Sequence, residues 1–358
     1  MTGEPFPVRP EEILLPFRCV DAGERPGPEV AAQFALSWPS YRRWFLHEGE
    51  AARPSYADSR DALVRWMPEL VEDYDAFVDA VGGDDLPARF LSHWCPPSLV
   101  SACSIAMLGA PSPMLVRNYD YPAVLSDTLA LRTHWSGRRV LGMADCGWGL
   151  MDGMNDAGVA ASLTFGGRRQ VGEGFGIGLV IRYVLQMSSS THEAIALLTR
   201  IPVHMSYNVA IVDRSGERRV VHVAPDRDAV VLNEWSTANR QGSTEWPAHA
   251  EYCRTEERED QLAALGAAPG LQAEDLVAAF LLPPLHRSLR ESTWGTIYTA
   301  VYSPQEGTLT LRWPGDAWPL TLHGDAVSEH PRVEWALMPE PVTVLTHLPR
   351  PEGTLFVR

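Results

Sequence analysis

Apolar residues recur at helical spacing twice in the first hundred positions and at strand spacing through most of the remainder. Val30, Phe34, Trp38 and Tyr41 fall on one helical stripe, and Pro39 predicts a break within it. Leu63, Trp66, Met67, Leu70, Tyr74, Phe77, Val78 and Val81 make a longer stripe that ends at Gly82-Gly83, and these read as core residues. The proline-rich stretch 1–28 holds no sustained period and reads as an arm or irregular lead-in. After Pro96-Pro97 short strand-like runs separated by turns take over, at 103–108, 113–119, 127–135, 138–144 and 158–165. Helical spacing returns at 176–187 and 191–200. Strands follow at 207–213, 218–224 and 228–235, then a helix at 273–282 and a closing strand pair at 294–302 and 307–313. Runs of strands around a helical pair predict a layered α+β domain of stacked antiparallel sheets, preceded by a mainly helical segment, with the boundary near residue 100.

Composition narrows the chemistry. The chain has 358 residues, of which 45% are hydrophobic and 21% charged, enough to bury a full core. A formal charge of −15 leaves no basic footprint for a phosphate backbone, so nucleic acid is not an expected partner. All 30 basic residues are arginine, which excludes a Schiff-base lysine, a phosphate-cradling lysine and a Ser/Lys dyad. The only primary amines available are α-amino groups. No basic region followed by an apolar run opens the chain, and no stretch approaches the roughly 18 apolar residues that span a bilayer, which predicts a cytoplasmic protein with no membrane partner. Five cysteines without CxxC spacing read as reduced thiols, and the scattered histidines give no metal-ligand spacing. The loop Gly172-Glu173-Gly174-Phe175-Gly176-Ile177-Gly178 lacks the strand and later acid of a dinucleotide fingerprint and reads as a flexible helix lead-in.

The informative stretch is Ser101-Ala102-Cys103-Ser104, followed by Leu115-Val116-Arg117-Asn118-Tyr119-Asp120. A cysteine opening one strand, with Arg117 and Asp120 ending the next, brings thiol, guanidinium and carboxylate to one end of a sheet. That arrangement suits a nucleophile that carries its own base. If the Ala102–Cys103 bond is cut, the freed α-amine has a reference pKa near 7.7–8.0 and can take the thiol proton without histidine or lysine. Arg117 would favour the thiolate, and Asp120 would orient the amine. Two plainer readings stand beside this one: Cys103 as an inert strand thiol, and Arg117 with Asp120 as a structural ion pair.

Further motifs occur in order: Arg117-Asn118-Tyr119-Asp120-Tyr121, Asp152-Gly153-Met154-Asn155-Asp156-Ala157-Gly158-Val159, Ser162-Leu163-Thr164-Phe165-Gly166-Gly167, Thr237-Ala238-Asn239-Arg240, Thr255-Glu256-Glu257-Arg258 and Thr293-Trp294-Gly295-Thr296. In these the chain resembles the choloylglycine hydrolase and penicillin V acylase group of N-terminal-nucleophile hydrolases. The likeness is closer to the peptidase C45 branch, the acyl-coenzyme A:6-aminopenicillanic acid (isopenicillin N) acyltransferase family, over about 99–315. The resemblance implies a four-layer αββα sandwich with a helical N-terminal pro-segment, 1–102, as a candidate small subunit, and a catalytic domain, 103–358. It implies Cys103 as nucleophile and new N-terminus after cleavage at Ala102, Arg117 and Asp120 as its activating neighbours, Asn239 as oxyanion donor and Arg258 as the late arginine of the site. Thr164 falls at a substrate-facing position of the family. Asn155 and Asn208 are weaker substrate-binding candidates, and Asn155 reads first as the residue holding a Met-Asn-Asp-Ala-Gly turn.

The expected activity is therefore hydrolysis or transfer of an acyl group, from a linear amide or acyl thioester, through a thioester on Cys103. The expected partners are that small molecule, the chain's own pro-segment and a second copy in a homo-oligomer. No metal or bound cofactor is expected, with a coenzyme A thioester as a candidate co-substrate. Two rivals are an unprocessed Cys/His hydrolase using His134 or His222 as base, and a noncatalytic protein that binds an acylated small molecule.

Overall fold

Alternation along the strand that opens at Ala102 sends Cys103, Ile105 and Met107 into one apolar core and Ala106 into another, so this strand belongs to a sheet buried on both faces. The computed structural model describes residues 10–291, 294–324 and 327–336. Thr293 of the late motif and residues 337–358 of the expected catalytic domain lie outside the described residues.

The described residues form two stacked sheets. The smaller has six strands in the order β11-β2-β3-β12-β13-β14: β2 (Ala102–Leu108), β3 (Met114–Tyr121), β11 (Ser236–Thr237), β12 (Gly295–Ser303), β13 (Thr308–Trp313) and β14 (Asp316–Thr321). The larger has nine, ordered β10-β9-β8-β7-β6-β5-β4-β1-β15: β1 (Glu11–Asp21), β4 (Leu129–Trp135), β5 (Arg138–Asp145), β6 (Gly149–Asn155), β7 (Val159–Phe165), β8 (Tyr207–Asp213), β9 (Arg218–Ala224), β10 (Arg227–Leu232) and β15 (Ser328–Ala336). The inner core between them holds Cys103, Ile105, Leu141, Met143, Met154 and Ile297. Helices α1 (Pro28–Phe45), α2 (Tyr56–Trp66), α3 (Val71–Ala80), α4 (Asp85–Leu91), α5 (Ile177–Met187) and α6 (Thr191–Leu198) cover the outer face of the large sheet. Beyond α7 (Pro247–Tyr252), α8 (Thr255–Ala267) and α9 (Ala273–Phe280) cover the small one through Leu262, Leu276 and Phe280. The result is a four-layer αββα sandwich. Among the described residues no helix is long and apolar enough to cross a membrane.

Several local expectations are corrected. Within the described residues the lead-in is not an irregular arm: β1 runs parallel to β4 and antiparallel to β15, inserting Glu11–Asp21 into the large sheet between them, while 1–9 lie outside the described residues. Prolines hid it, since Pro16 pairs opposite Pro331 where neither can donate to the ladder. Pro39 does not end the first helix; α1 passes through it, and the proline is exposed, so water can serve the carbonyl that it leaves unpaired. The long stripe 63–81 is instead split at Pro68, where a 3-10 turn separates α2 from α3. The sequence of β6, GLMDGMN, gives no strand signal because its two glycines, Asp152 and Asn155 are residues depleted in strands.

Candidate active site

Cys103 is the second residue of β2 and pairs with Tyr119 of β3, so hairpin register alone carries Arg117 and Asp120 alongside it. All three side chains are completely buried. Arg117 Nη2 donates to Cys103 Sγ at 3.1 Å, and Ser101 Oγ lies 3.8 Å from the same sulfur. Burial pushes the Cys103 thiol up, and the Arg117 guanidinium opposes that rise without cancelling it. In the intact chain the sulfur is therefore held as a thiol.

Arg117 and Asp120 are not each other's ion pair. Arg117 Nη1 pairs with Asp152 on β6, while Asp120 pairs with Arg258 on α8 and accepts a 2.7 Å hydrogen bond from Thr296 Oγ1. Side chains three residues apart on one strand point to opposite faces, so one carboxylate could not serve both. Asp152 is the residue that sequence reasoning missed. Its carboxylate also accepts from Tyr298 OH at 3.0 Å and from Tyr302 OH, making a fully buried hub that joins both sheets behind Arg117. Burial and the Asp152 charge push both phenols up, so they stay protonated and keep donating. The acid opening the Asp-Gly-Met-Asn motif was the signal; its buried strand context hid its role.

Asn239 reaches Cys103 from the other side. Its Oδ1 accepts the backbone N–H of Cys103 at 3.0 Å, and its Nδ2 donates to Phe165 O at 3.0 Å. The turn at Gly166-Gly167 makes room: Gly167 has a φ of +70°, and a Cβ there would come within 2.3 Å of the Asn239 carbonyl oxygen. Thr164 and Asn208, paired across β7 and β8, grip the segment carrying Asn239. Thr164 Oγ1 donates to Ala238 O at 2.5 Å, and Asn208 Nδ2 reaches Ala238 O at 2.8 Å and Arg240 O at 3.0 Å. Both hold the backbone that presents Asn239, and this engagement replaces the direct substrate contact expected of them.

Asn155 takes the turn-holding role, and not the substrate-binding one. Its Nδ2 donates to Leu185 O and Ser188 O, and its Oδ1 accepts Val159 N, so it braces the β6–β7 turn against α5 with its whole amide engaged. The two histidines proposed as alternative bases do not contact the sulfur. His134 faces Glu24 at 3.8 Å, and His222 pairs with Asn208 and Val230 in the large sheet.

Residues 109–318 match the model of the acyl-coenzyme A:6-aminopenicillanic acid acyl-transferase family, a span that contains Arg117, Asp120, Asn239 and Arg258 and begins after Cys103. No curated protein matches the chain. Among solved structures, a variant of conjugated bile acid hydrolase from Clostridium perfringens is 12% identical, with 64% of this chain and 96% of that one covered at a TM-score of 0.43. Penicillin V acylase from Agrobacterium tumefaciens is 14% identical, with 63% and 90% covered and a TM-score of 0.44. An N-acylethanolamine-hydrolyzing acid amidase ortholog from Caenorhabditis elegans is 16% identical, with 57% and 93% covered and a TM-score of 0.39.

Proposed function

This chain belongs to the acyl-coenzyme A:6-aminopenicillanic acid acyl-transferase family, and from that premise we propose that it is a cysteine N-terminal-nucleophile amidohydrolase or acyltransferase activated by cleavage between Ala102 and Cys103. The observation that carries the reading is the double grip on Cys103: Arg117 on its sulfur and Asn239 on its backbone nitrogen. An inert strand thiol needs neither.

Activation begins when the Cys103 sulfur attacks the Ala102 carbonyl carbon. The carbon–nitrogen bond breaks as the Cys103 nitrogen takes up a proton, leaving a thioester between the fragments. Water hydrolyses it to an Ala102 carboxylate and a free thiol. The new α-amine, with a reference pKa near 7.7–8.0, then takes the thiol proton. Its charge matters here, because Arg117 and Arg258 are each already neutralised by an aspartate and no lysine exists to help. The ammonium is the extra cation that a buried thiolate requires.

In turnover the thiolate attacks the carbonyl of an amide or acyl thioester. The oxyanion is stabilised by the Asn239 amide with a backbone N–H, the ammonium protonates the leaving group, and water or an acceptor amine resolves the acyl-enzyme. No step calls on a metal or a bound cofactor; a coenzyme A thioester is one form of acyl donor. The 1–102 fragment stays as a small subunit, because β1 lies between β4 and β15.

Intact-mass measurement and N-terminal sequencing of the purified protein test this. Two fragments splitting at Ala102/Cys103 in wild type, and one uncut chain in Cys103→Ala, are expected. A single uncut wild-type chain with full activity would overturn it.

A further inference from the structure

The ammonium that completes the mature site does not exist until the Ala102–Cys103 bond is broken, so the sulfur makes its first attack without it. In the intact chain Arg117 is the one cation hydrogen-bonded to that sulfur among the described residues, and it is shared with Asp152. Ala102 and Cys103 are wholly buried, so bulk water does not solvate the sulfur either. A thiolate developing there is short of a donor.

One more side chain lies against the sulfur. Ser101 Oγ is 3.8 Å from Cys103 Sγ, and among the described residues that hydroxyl has no other hydrogen-bond partner. In an extended chain, residues two apart stand about 6.6 Å from each other on the same side. At 3.8 Å the two side chains lean together across Ala102, which carries the sulfur back along the chain toward the carbonyl that it must attack. Ser101 is buried and fixed at both ends, its hydroxyl on the sulfur and its backbone against the ring of His249, whose Nε2 lies 3.3 Å from Cys253 Sγ. A hydroxyl turns to suit its partner, and a thiolate can only accept, so the hydroxyl donates once the sulfur is charged. A contact that is long against a neutral thiol tightens when that partner ionises.

We propose that Ser101 is a catalytic residue of self-cleavage: its hydroxyl donates to the Cys103 sulfur during the attack on Ala102 and is replaced by the Cys103 ammonium once the bond is cut. This rests on the reading that the chain cleaves at Ala102/Cys103. Protons balance, because Ser101 keeps its own and the thiol proton is the one that ends on the Cys103 nitrogen. When the thioester is hydrolysed, Ser101 becomes the penultimate residue of the small fragment and is no longer joined through the chain to the residue that bears the sulfur. The ammonium, a charged donor on that same residue, takes over from a neutral one.

The test follows cleavage of the full chain after a pulse of labelled methionine in cell-free synthesis, across pH 6–9, in wild type, Ser101→Ala and Ser101→Thr. Ser101→Ala is expected to cut about tenfold or more slowly, with its pH profile displaced to higher pH because the thiol has lost a donor. In the cut protein the loss in the rate of Cys103 alkylation by iodoacetamide should be several-fold smaller. Wild-type cutting by Ser101→Ala, slowing with an unmoved profile, or an equal loss in cleavage and alkylation each overturns the role of Ser101 and leaves the cleavage reading standing. If Ser101→Ala cuts at no pH, Ser101→Thr decides: cutting supports the hydroxyl, and an uncut chain overturns it. A wild-type chain that never splits at Ala102/Cys103 overturns the cleavage reading and this role with it.

Discussion

The Cys103 sulfur and the Arg117 guanidinium lie 3.1 Å apart in the seam between the two sheets, and neither has any exposed surface. Arg117 is the one cation hydrogen-bonded to that sulfur among the described residues, and it is shared with Asp152.

Arg117→Met removes the charge that opposes burial, so the thiol pKa rises further. The rate of Cys103 alkylation at pH 7 is expected to fall at least about tenfold, with its pH profile displaced to higher pH. Iodoacetamide labelling followed by peptide mass analysis across pH 6–10 checks this; an unmoved profile would separate Arg117 from the nucleophile.

Asn239→Ala removes both the acceptor for the Cys103 nitrogen and the proposed oxyanion donor. Loss of one such donor costs about 10²–10³ in kcat, and KM should change far less. Thr164→Val acts through Ala238 O, and Asn208→Ala through Thr237 Oγ1, Ala238 O and Arg240 O, so each should give a smaller loss than Asn239→Ala. Steady-state kinetics on a single amide substrate rank the three.

Phe17 on β1 packs at 5.0 Å from Trp313 and 6.3 Å from Tyr298, itself a ligand of Asp152. Phe17→Ala is expected to destabilise by about 3–5 kcal/mol. Because β1 also ties β15 to β4, the small fragment of the processed protein should co-elute with the large one until denaturant unfolds both together. Elution of an active, folded 103–358 fragment by itself would contradict this.

Acid should unfold the protein through histidines. His93, His204 and His249 are buried, and burial lowers each to about 4 from an ordinary value near 6.5. The unfolded chain binds these protons first as pH falls, so stability present above 6.5 is lost between 6.5 and 4, by up to about 3 kcal/mol per histidine. Denaturation midpoints measured from pH 7.5 to 4 should show that slope, and His204→Gln should flatten it if it folds.

Much of the core was legible before any coordinates. The strands bearing Cys103 and Arg117 read as short runs between turns, and their hairpin spacing alone brings thiol and guanidinium together. Asn239 and Arg258 were found only by the order of motifs, since more than a hundred residues separate each from Cys103 and no local period points across that gap. Asp152 was missed as the partner of Arg117 because pairing between sheets leaves no trace in spacing. Asn155 and Asn208 show the converse: a polar residue in a buried strand looks like a site, yet here each holds backbone carbonyls.

Local physics therefore reached as far as neighbouring strands. Periodicity and turn placement determined the layered α+β class and the strand bearing Cys103, and the absence of lysine left α-amino groups as the only primary amines of the chain. Tertiary packing decided the rest: which aspartate each arginine meets, across the sheets for Arg117 and from helix to strand for Arg258, and how the N-terminal strand is locked into the large sheet. Those outcomes depend on contacts between residues distant in the chain, whose energies exist only once both layers are packed.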